Sequence, residues 1–182
     1  MRPPRILRFG NRRLVSSSIL RVPPRQVGGG RGRASLVHRA RKTIRRGSKS
    51  FWFASRLFDR GTRERVWLLY AWCRRCDDIA DGQDHGWGAG APSGLKLDDA
   101  TARQRIMAIR ILTGRALDGQ PTAEMAFDAF GQVAAECRLT GEDASDVIEG
   151  FALDAQGWRP RTEEDMMRYC FHVAGAVGVM TA

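Results

Sequence analysis

The sequence predicts an all-α fold, and three observations carry that expectation. Beyond residue 34 the apolar residues recur at helical spacing, and no stretch alternates with the period of two that marks a half-buried strand. Capping residues and glycines punctuate this pattern, as at Thr62, Gly82 and Thr162-Glu-Glu-Asp165. The chain is 182 residues long with 43% hydrophobic residues, which suits one globular domain.

Residues 1–34 read Pro-Pro, Arg-Arg, Ser-Ser-Ser, Pro-Pro and Gly-Gly-Gly without apolar periodicity, so a disordered basic arm is expected there. Residues 35–46 form a first basic helix and residues 48–58 a short second one. Thr62 is a plausible N-cap for a long helix that runs to Asp81 and stops at Gly82. That helix is apolar nearly all round from Val66 to Cys73, which places it centrally. Residues 84–94 make a Gly-rich loop. A helix follows over 98–117. Another opens at Pro121-Thr122 and runs to about residue 140, and a further one spans 142–154. Thr162-Glu-Glu-Asp165 resembles a capping box and starts the last helix. Ala174, Gly175, Ala176 and Gly178 on it would admit a close helix or an elongated apolar ligand. The pattern is still running at Ala182, so the sequence is expected to be an N-terminal portion of a larger fold.

The net charge of +10 is unevenly spread. Residues 1–58 hold 16 Lys+Arg and no acid, whereas the other 124 residues hold 14 Lys+Arg against 20 Asp+Glu, a net of −6. The basic character therefore belongs to the N-terminal stretch. Its composition fits upstream sequence read from a misplaced start, an arm touching anionic lipid, or an organellar transit segment. Only Phe9 interleaves the basic residues of residues 1–34, so no nucleic-acid partner is expected. No apolar run approaches the roughly 20 residues that a membrane-spanning helix needs. A cytoplasmic protein, with peripheral contact at the inner face of a membrane, is the expectation. Cys73 and Cys76 form a C-x-x-C inside the long helix with no second pair. Reduced, buried thiols are expected for the four cysteines rather than zinc ligands or disulfides.

The most informative stretch is Tyr70-Ala-Trp-Cys-Arg-Arg-Cys-Asp-Asp-Ile-Ala-Asp81. It sets Asp77, Asp78 and Asp81 at the end of a helix, where the backbone dipole favours Lys or Arg. Asp77 and Asp81 are also a like-charge i,i+4 pair. Local rules broken in this way tend to mark function. A hard divalent cation would compensate, since Mg2+ takes carboxylate oxygens and shares itself with substrate phosphates. Tyr70, Arg74, Asp77 and Asp81 are spaced i, i+4, i+7, i+11 and lie on one stripe. Arg74 could then bind diphosphate oxygens directly. A solvated acidic helix end explains the same pattern without any ligand. His38, His85 and His172 have no partners at catalytic spacing and read as solvated or packing residues.

Four motifs occur in order: Gly47-Ser-Lys-Ser-Phe51, Leu69-Tyr-Ala-Trp-Cys-Arg-Arg-Cys-Asp-Asp-Ile-Ala-Asp81, Glu149-Gly-Phe-Ala-Leu-Asp154 and Tyr169-Cys-Phe-His-Val-Ala-Gly-Ala-Val-Gly178. Through them, residues 35–182 resemble the N-terminal half of a squalene/phytoene synthase, most closely the bacterial phytoene branch. The resemblance implies an isoprenoid-synthase-type helical bundle, here truncated, with two aspartate-rich motifs facing each other across a cavity. It implies that Asp77 and Asp81 hold Mg2+ (or Mn2+), and that Ser48, Ser50 and Arg74 touch an isoprenoid diphosphate. Phe51 and Tyr70 match cavity-lining positions, and Ala174 and Val177 join the expected substrate-binding wall. Tyr169 matches a tyrosine that orients the leaving diphosphate or faces the carbocation. Asp154 matches an acidic position near the second metal side. Many members carry His where this chain has Gly47, although the bacterial branch tolerates Gly. The second aspartate motif lies beyond residue 182 in the family.

The implied reaction joins two geranylgeranyl diphosphates head to head to phytoene through a cyclopropyl diphosphate. The residues present, taken alone, are expected to be inactive. The alternatives are squalene or dehydrosqualene formation from farnesyl diphosphate, and a non-catalytic truncated member. The resemblance leaves substrate chain length and oligomeric state open.

Overall fold

The computed structural model describes residues 26–82 and 99–182, and every element among them is helical. A 3-10 turn at Val27–Gly30 precedes α1 (Arg33–Gly47), α2 (Lys49–Ser55), α3 (Arg60–Asp81), α4 (Asp99–Leu117), α5 (Met125–Cys137), α6 (Gly141–Ala155) and α7 (Glu163–Cys170). A π turn at Phe171–Gly175 joins α7 to α8 (Ala176–Thr181).

The long helix α3 is the central element, packed on α1, α4, α5 and α6. Its middle supplies Trp67, Leu68, Leu69, Ala71 and Trp72, all buried, as the apolar run requires. Trp72 stacks on Phe130 of α5 at 4.2 Å between centroids, and its indole N–H donates to Thr113 Oγ1 of α4 at 3.2 Å. One side chain thus ties three helices and leaves no buried polar atom of its own unpaired. Leu36 and Ile44 of α1, Ile109 of α4 and Phe127 of α5 complete this core.

Several boundaries differ from the sequence expectation, each for a local reason. Helix α3 starts one turn earlier than a Thr62 cap would put it. The Asp59 carboxylate accepts from the Gly61 and Thr62 N–H groups at 2.8 and 3.1 Å and is the N-cap. Helix α2 ends at Ser55, and Arg56, Leu57 and Phe58 follow as turns. Pro121-Thr122 does not open α5. Thr122 is buried, and its N–H and hydroxyl lie 3.0 and 2.8 Å from the Asp128 carboxylate, so the chain loops until Met125. Two capping boxes hold, Thr140 with Asp143 on α6 and the expected Thr162 with Asp165 on α7. Gly82 ends α3 at φ +69°, the left-handed conformation glycine adopts freely. The last helix carries an inserted π turn.

The expected boundary of the disordered arm at residue 34 is corrected for the described part. Residues 26–34 are folded against the body. Gly28 and Gly29 take φ of +66° and +61°, and a side chain at Gly29 would meet the Asp128 carboxylate at 2.5 Å. Arg31 Nε donates to Asp128 at 2.7 Å, and Arg33 bonds both Glu64 of α3 and Glu136 of α5. The glycines permit the tight approach and Asp128 rewards it. Residues 1–25, and the Gly-rich loop expected at 84–94, lie outside the described residues. The thiols also divide: Cys76 is buried, Cys73 intermediate, and Cys137 and Cys170 are exposed, contrary to the expectation of four buried thiols.

Candidate active site at the acidic end of the central helix

The C-terminal half of α3 turns its Tyr70–Arg74–Asp77–Asp81 stripe along one side of the bundle. At the near end of the stripe Tyr70 is half-buried, and burial pushes its phenol above the ordinary range. Phe51 of α2 lies against it at 6.1 Å between ring centroids. A side chain at Gly47 would come within 2.5 Å of the Tyr70 hydroxyl oxygen, so the absence of one lets the phenol approach the α1 backbone. The Gly47-Ser-Lys-Ser-Phe51 and Tyr70-to-Asp81 motifs therefore meet in space. Ser48 is the N-cap of α2, its hydroxyl accepting from Phe51 N–H at 3.2 Å. Its own proton remains for another acceptor. Ser50 and Phe51 are exposed on the same short helix.

Arg74 binds two carboxylates. Its Nη1 lies 3.0 Å from Asp77 and its Nη2 2.9 Å from Asp78. Asp78 is fully buried, which excludes the solvated orientation a helical wheel allows for it. The guanidinium is thereby fixed along the helix, with one anchor buried and one partly exposed. Burial raises Asp77 above its ordinary range and the nearby Asp81 carboxylate raises it further, against Arg74. Burial likewise raises Asp81, with Arg74 opposing and Asp154 and Asp78 adding to the rise. Two carboxylates held close and resisting ionisation are poised to gain from a cation.

Asp154 sits at the C-terminal end of α6, near enough for its charge to act on both Asp77 and Asp81. It accepts a 2.7 Å hydrogen bond from the Tyr169 hydroxyl of α7, and that bond is the main reason the Tyr169 phenol is raised. Trp158 stacks on Tyr169 at 6.0 Å and 26°. Gly157, at φ +64°, reverses the chain so that Trp158 returns over α7. The structure thus brings Tyr70, Arg74, Asp77, Asp81, Asp154 and Tyr169 toward one end of α3. Val177 is half-buried against the core on α8, while Ala174 is exposed in the π turn.

Of the two roles expected for the run of small residues, a close helix or an elongated apolar ligand, helix packing involves only one of these residues among the described residues. Ala176 is buried, but Ala174, Gly175 and Gly178 are exposed. The close approach is made instead by Gly150 of α6, where a Cβ would stand 2.8 Å from the His172 carbonyl oxygen. His172 Nδ1 lies 3.0 Å from the Asp146 carbonyl, a packing contact.

Among the described residues no three His, Cys, Asp or Glu side chains group into a complete metal shell. The donors nearest that role are hard oxygens, the Asp77 and Asp81 carboxylates. They suit Mg2+ or Mn2+, which commonly complete their shells with substrate phosphates. The neighbouring thiols do not suit a metal, since burial pushes Cys73 up to about 12 and Cys76 well above its usual value.

Two contributors fall outside the motifs: Trp158, read from sequence as core or cavity wall, and Arg105, which carried no signal. Trp158 lies between motifs. Arg105, on α4, donates from Nη1 to the Ala80 carbonyl at 3.4 Å at the end of α3. Neither shares a helix with the residue it touches.

Comparison with known proteins gives a consistent picture. Residues 44–182 match the family model for squalene/phytoene synthase. A phytoene synthase from Pseudescherichia vulneris is 44% identical over 147 residues, covering 81% of this chain and 46% of that protein. A 15-cis-phytoene synthase from Pantoea ananas is 44% identical over 148 residues, with 81% and 46% covered. The crystal structure of a dehydrosqualene synthase in complex with ligand superposes with a TM-score of 0.64 at 22% identity, covering 82% of this chain and 47% of that one. At that identity the likeness establishes the shared helical fold. The chain spans about half the length of the curated relatives it matches.

Proposed function

The chain belongs to the squalene/phytoene synthase family, and from that premise we propose that it forms one metal- and diphosphate-binding wall of a phytoene synthase. The reaction is the head-to-head condensation of two geranylgeranyl diphosphates. One observation carries the reading. The Asp77/Asp81 pair stands at the C-terminal end of α3, Asp77 partly buried and Asp81 open to solvent, joined by Arg74 and approached by the Tyr169–Asp154 pair. This occurs in a chain 44% identical to phytoene synthases.

In this reading Asp77 and Asp81 hold Mg2+ or Mn2+. When bound, the cation would neutralise charge growing on a departing diphosphate. Arg74 supplies fixed N–H donors to the same oxygens, and its anchoring to Asp78 means little reorganisation is needed. Ser48 and Ser50 add hydroxyl donors from the start of α2. The C–O bond of the first substrate breaks and its electron pair leaves with diphosphate. The double bond of the second substrate attacks the allylic cation, and proton loss closes a cyclopropyl diphosphate. A second ionisation, rearrangement and proton loss give phytoene. Tyr169, held by Asp154 and Trp158, orients the leaving group or faces the cation. Phe51, Tyr70, Ala174 and Val177 form apolar wall that keeps water from the cation.

The test is a fusion of residues 1–182 to the remaining length of the Pantoea ananas relative, assayed with Mg2+ and either geranylgeranyl or farnesyl diphosphate. Phytoene that disappears with Asp77→Asn or Tyr169→Phe is expected. A folded fusion making product equally well with Asp77→Asn would reject the site. A C30 product from the farnesyl arm would favour the shorter-chain reading.

We place the protein in the cytoplasm, in peripheral contact with anionic lipid. Residues 33–58 hold no acid, and Phe53 and Leu57, 64% and 89% exposed, project among Lys49 and Arg56. No helix among the described residues is long and apolar enough to cross a membrane. Sedimentation with anionic but not neutral vesicles is the expected outcome, weakened by F53S/L57S.

A further inference from the structure

The C-terminal turn of α3 carries Asp81 and ends at Gly82, and α4 crosses it there. Arg105 of α4 lays its guanidinium on this turn. A Cβ at Gly82 would stand 2.5 Å from both Nη1 and Nη2, so the missing side chain is what admits the group. Nη1 reaches the Ala80 carbonyl at 3.4 Å, a long bond that occupies one of five donors. Arg105 is half-buried, yet it forms no ion pair with a carboxylate among the described residues. Arg63 also lacks a carboxylate among the described residues and lies over the Trp67 ring, but three other half-buried arginines are spent on carboxylates. Arg33 bonds Glu136 at 2.6 Å, Arg74 binds Asp77 and Asp78, and Arg110 bonds Glu149 at 3.2 Å.

Arg105 nevertheless stands beside Asp81, touching the carbonyl of Ala80 before it and lying over Gly82 after it. A half-buried guanidinium costs desolvation that one long bond to a carbonyl does not offset. The arrangement is satisfied when an anion arrives beside Asp81 and takes the unused donors. A direct ion pair with Asp81 would instead compete with a metal for that carboxylate. Arg105 stands off it, on the backbone, as a diphosphate clamp beside a metal-binding carboxylate must.

Resting on the metal and diphosphate reading above, we propose that Arg105 is a further diphosphate-binding residue. It grips, from α4, the anion that Arg74 grips from α3, and Gly82 keeps the space that brings it there. The two cations then flank the anion from different helices, which fixes its orientation as one point charge cannot. The rival reading is a helix cap only, since a cation at a helix C-terminus is favourable by itself.

The two are separated by binding measurements on the full 182-residue chain. Inorganic pyrophosphate with Mg2+ is titrated calorimetrically, Mn2+ alone is followed by electron paramagnetic resonance, and thermal unfolding is followed by circular dichroism. Arg105→Gln is expected to weaken pyrophosphate binding by about ten- to a hundredfold, the loss of charge-assisted hydrogen bonds. Mn2+ alone should bind as tightly as before or tighter, because a repelling charge has gone. Arg105→Lys, which keeps the charge but loses the planar fork, should fall between. A lowered melting temperature with unchanged pyrophosphate affinity would reduce Arg105 to a cap and overturn the proposal. If Arg105→Gln does not fold, Arg105→Lys decides: reduced pyrophosphate affinity with retained Mn2+ binding supports it, wild-type affinity overturns it. The double variant D77N/D81N is the control for the underlying site. Its loss of Mn2+ binding alongside a silent Arg105→Gln sinks only the Arg105 inference. A wild-type chain that binds neither probe sinks both.

Discussion

Replacing Asp128 with Ala should be among the most damaging single changes in this chain, although it lies away from the acidic end of α3. Asp128 is 1% exposed and receives Thr122 N–H at 3.0 Å, the Thr122 hydroxyl at 2.8 Å and Arg31 Nε at 2.7 Å. The contributions are unequal. Arg31 is 40% exposed, so its half of the pair is solvent-screened and worth at most about 1 kcal/mol. Thr122 is buried, and its orphaned N–H costs about 1–3 kcal/mol. The hydroxyl can turn to the Glu124 carbonyl at 2.9 Å, so it adds little. A void where the carboxylate stood, beside Gly29, adds about 1 kcal/mol more. The sum is about 2–5 kcal/mol, a large share of the roughly 5–15 kcal/mol that holds a domain together. Asp128→Asn keeps an acceptor for Thr122 and loses the charge, so about 1–2 kcal/mol is expected. Arg31→Ala should cost under about 1 kcal/mol. Urea unfolding read by tryptophan fluorescence gives the three midpoints, with limited proteolysis reporting release of residues 26–34. If Arg31→Ala and Asp128→Ala were equally mild, Asp128 would not be the anchor of that segment and this accounting would be wrong.

Three further outcomes are expected. Asp81 is held above its ordinary range by burial and like charges, so the folded state binds its proton more tightly than the unfolded chain. Its charge therefore costs stability that is regained as pH falls through the carboxylate range and lost as pH rises through it. Asp81→Asn should stabilise the metal-free chain at neutral pH by about 0.2–0.5 kcal/mol and abolish stabilisation by Mg2+. A thermal melt showing destabilisation without metal would contradict this. Gly47→His should displace the Tyr70 hydroxyl from its place 2.5 Å from the missing Cβ, with changed tyrosine ultraviolet absorbance and near-wild-type stability, since Gly47 is exposed. An unperturbed Tyr70 spectrum would show that the ring does not depend on Gly47. Gly150→Ala puts a methyl 2.8 Å from the His172 carbonyl and should cost about 1–3 kcal/mol by forcing α6 from the π turn. Urea midpoints test it, and a neutral result would mean that the π turn yields.

The division between what was readable and what was not follows the range of the interactions. Helical spacing, the Thr162 capping box on α7, and the stop at Gly82 are set within a turn or two of chain, and one chain suffices to show them, whereas the Thr140 box on α6 went unread inside a helix expected to run to about residue 140. The Tyr70–Arg74–Asp77–Asp81 stripe is equally local, because helix geometry alone puts those positions on one side. The sequence by itself therefore determined an all-α chain whose central helix ends in a cluster of carboxylates. It also determined which motif residues deserve testing. Local reading failed where two equally good signals competed, as when Asp59 capped α3 in place of Thr62. It failed too where a glycine-rich, basic stretch looked unfoldable. Residues 26–34 are held by partners distant in sequence: Asp128, about a hundred residues later, accepts Arg31 beside a glycine that leaves room, and Arg33 bonds Glu64 and Glu136. Tertiary packing alone decided that Asp78 is the buried anchor of Arg74, that Tyr169 meets Asp154, that Gly150 makes the close approach, and that Arg105 reaches the end of α3. Arg74 and Asp78 share α3, where packing decided only that Asp78 is buried, and the other contacts join residues on separate helices. Their distances depend on how the helices pack, which side-chain volumes and desolvated charges determine jointly and no single stretch of sequence encodes.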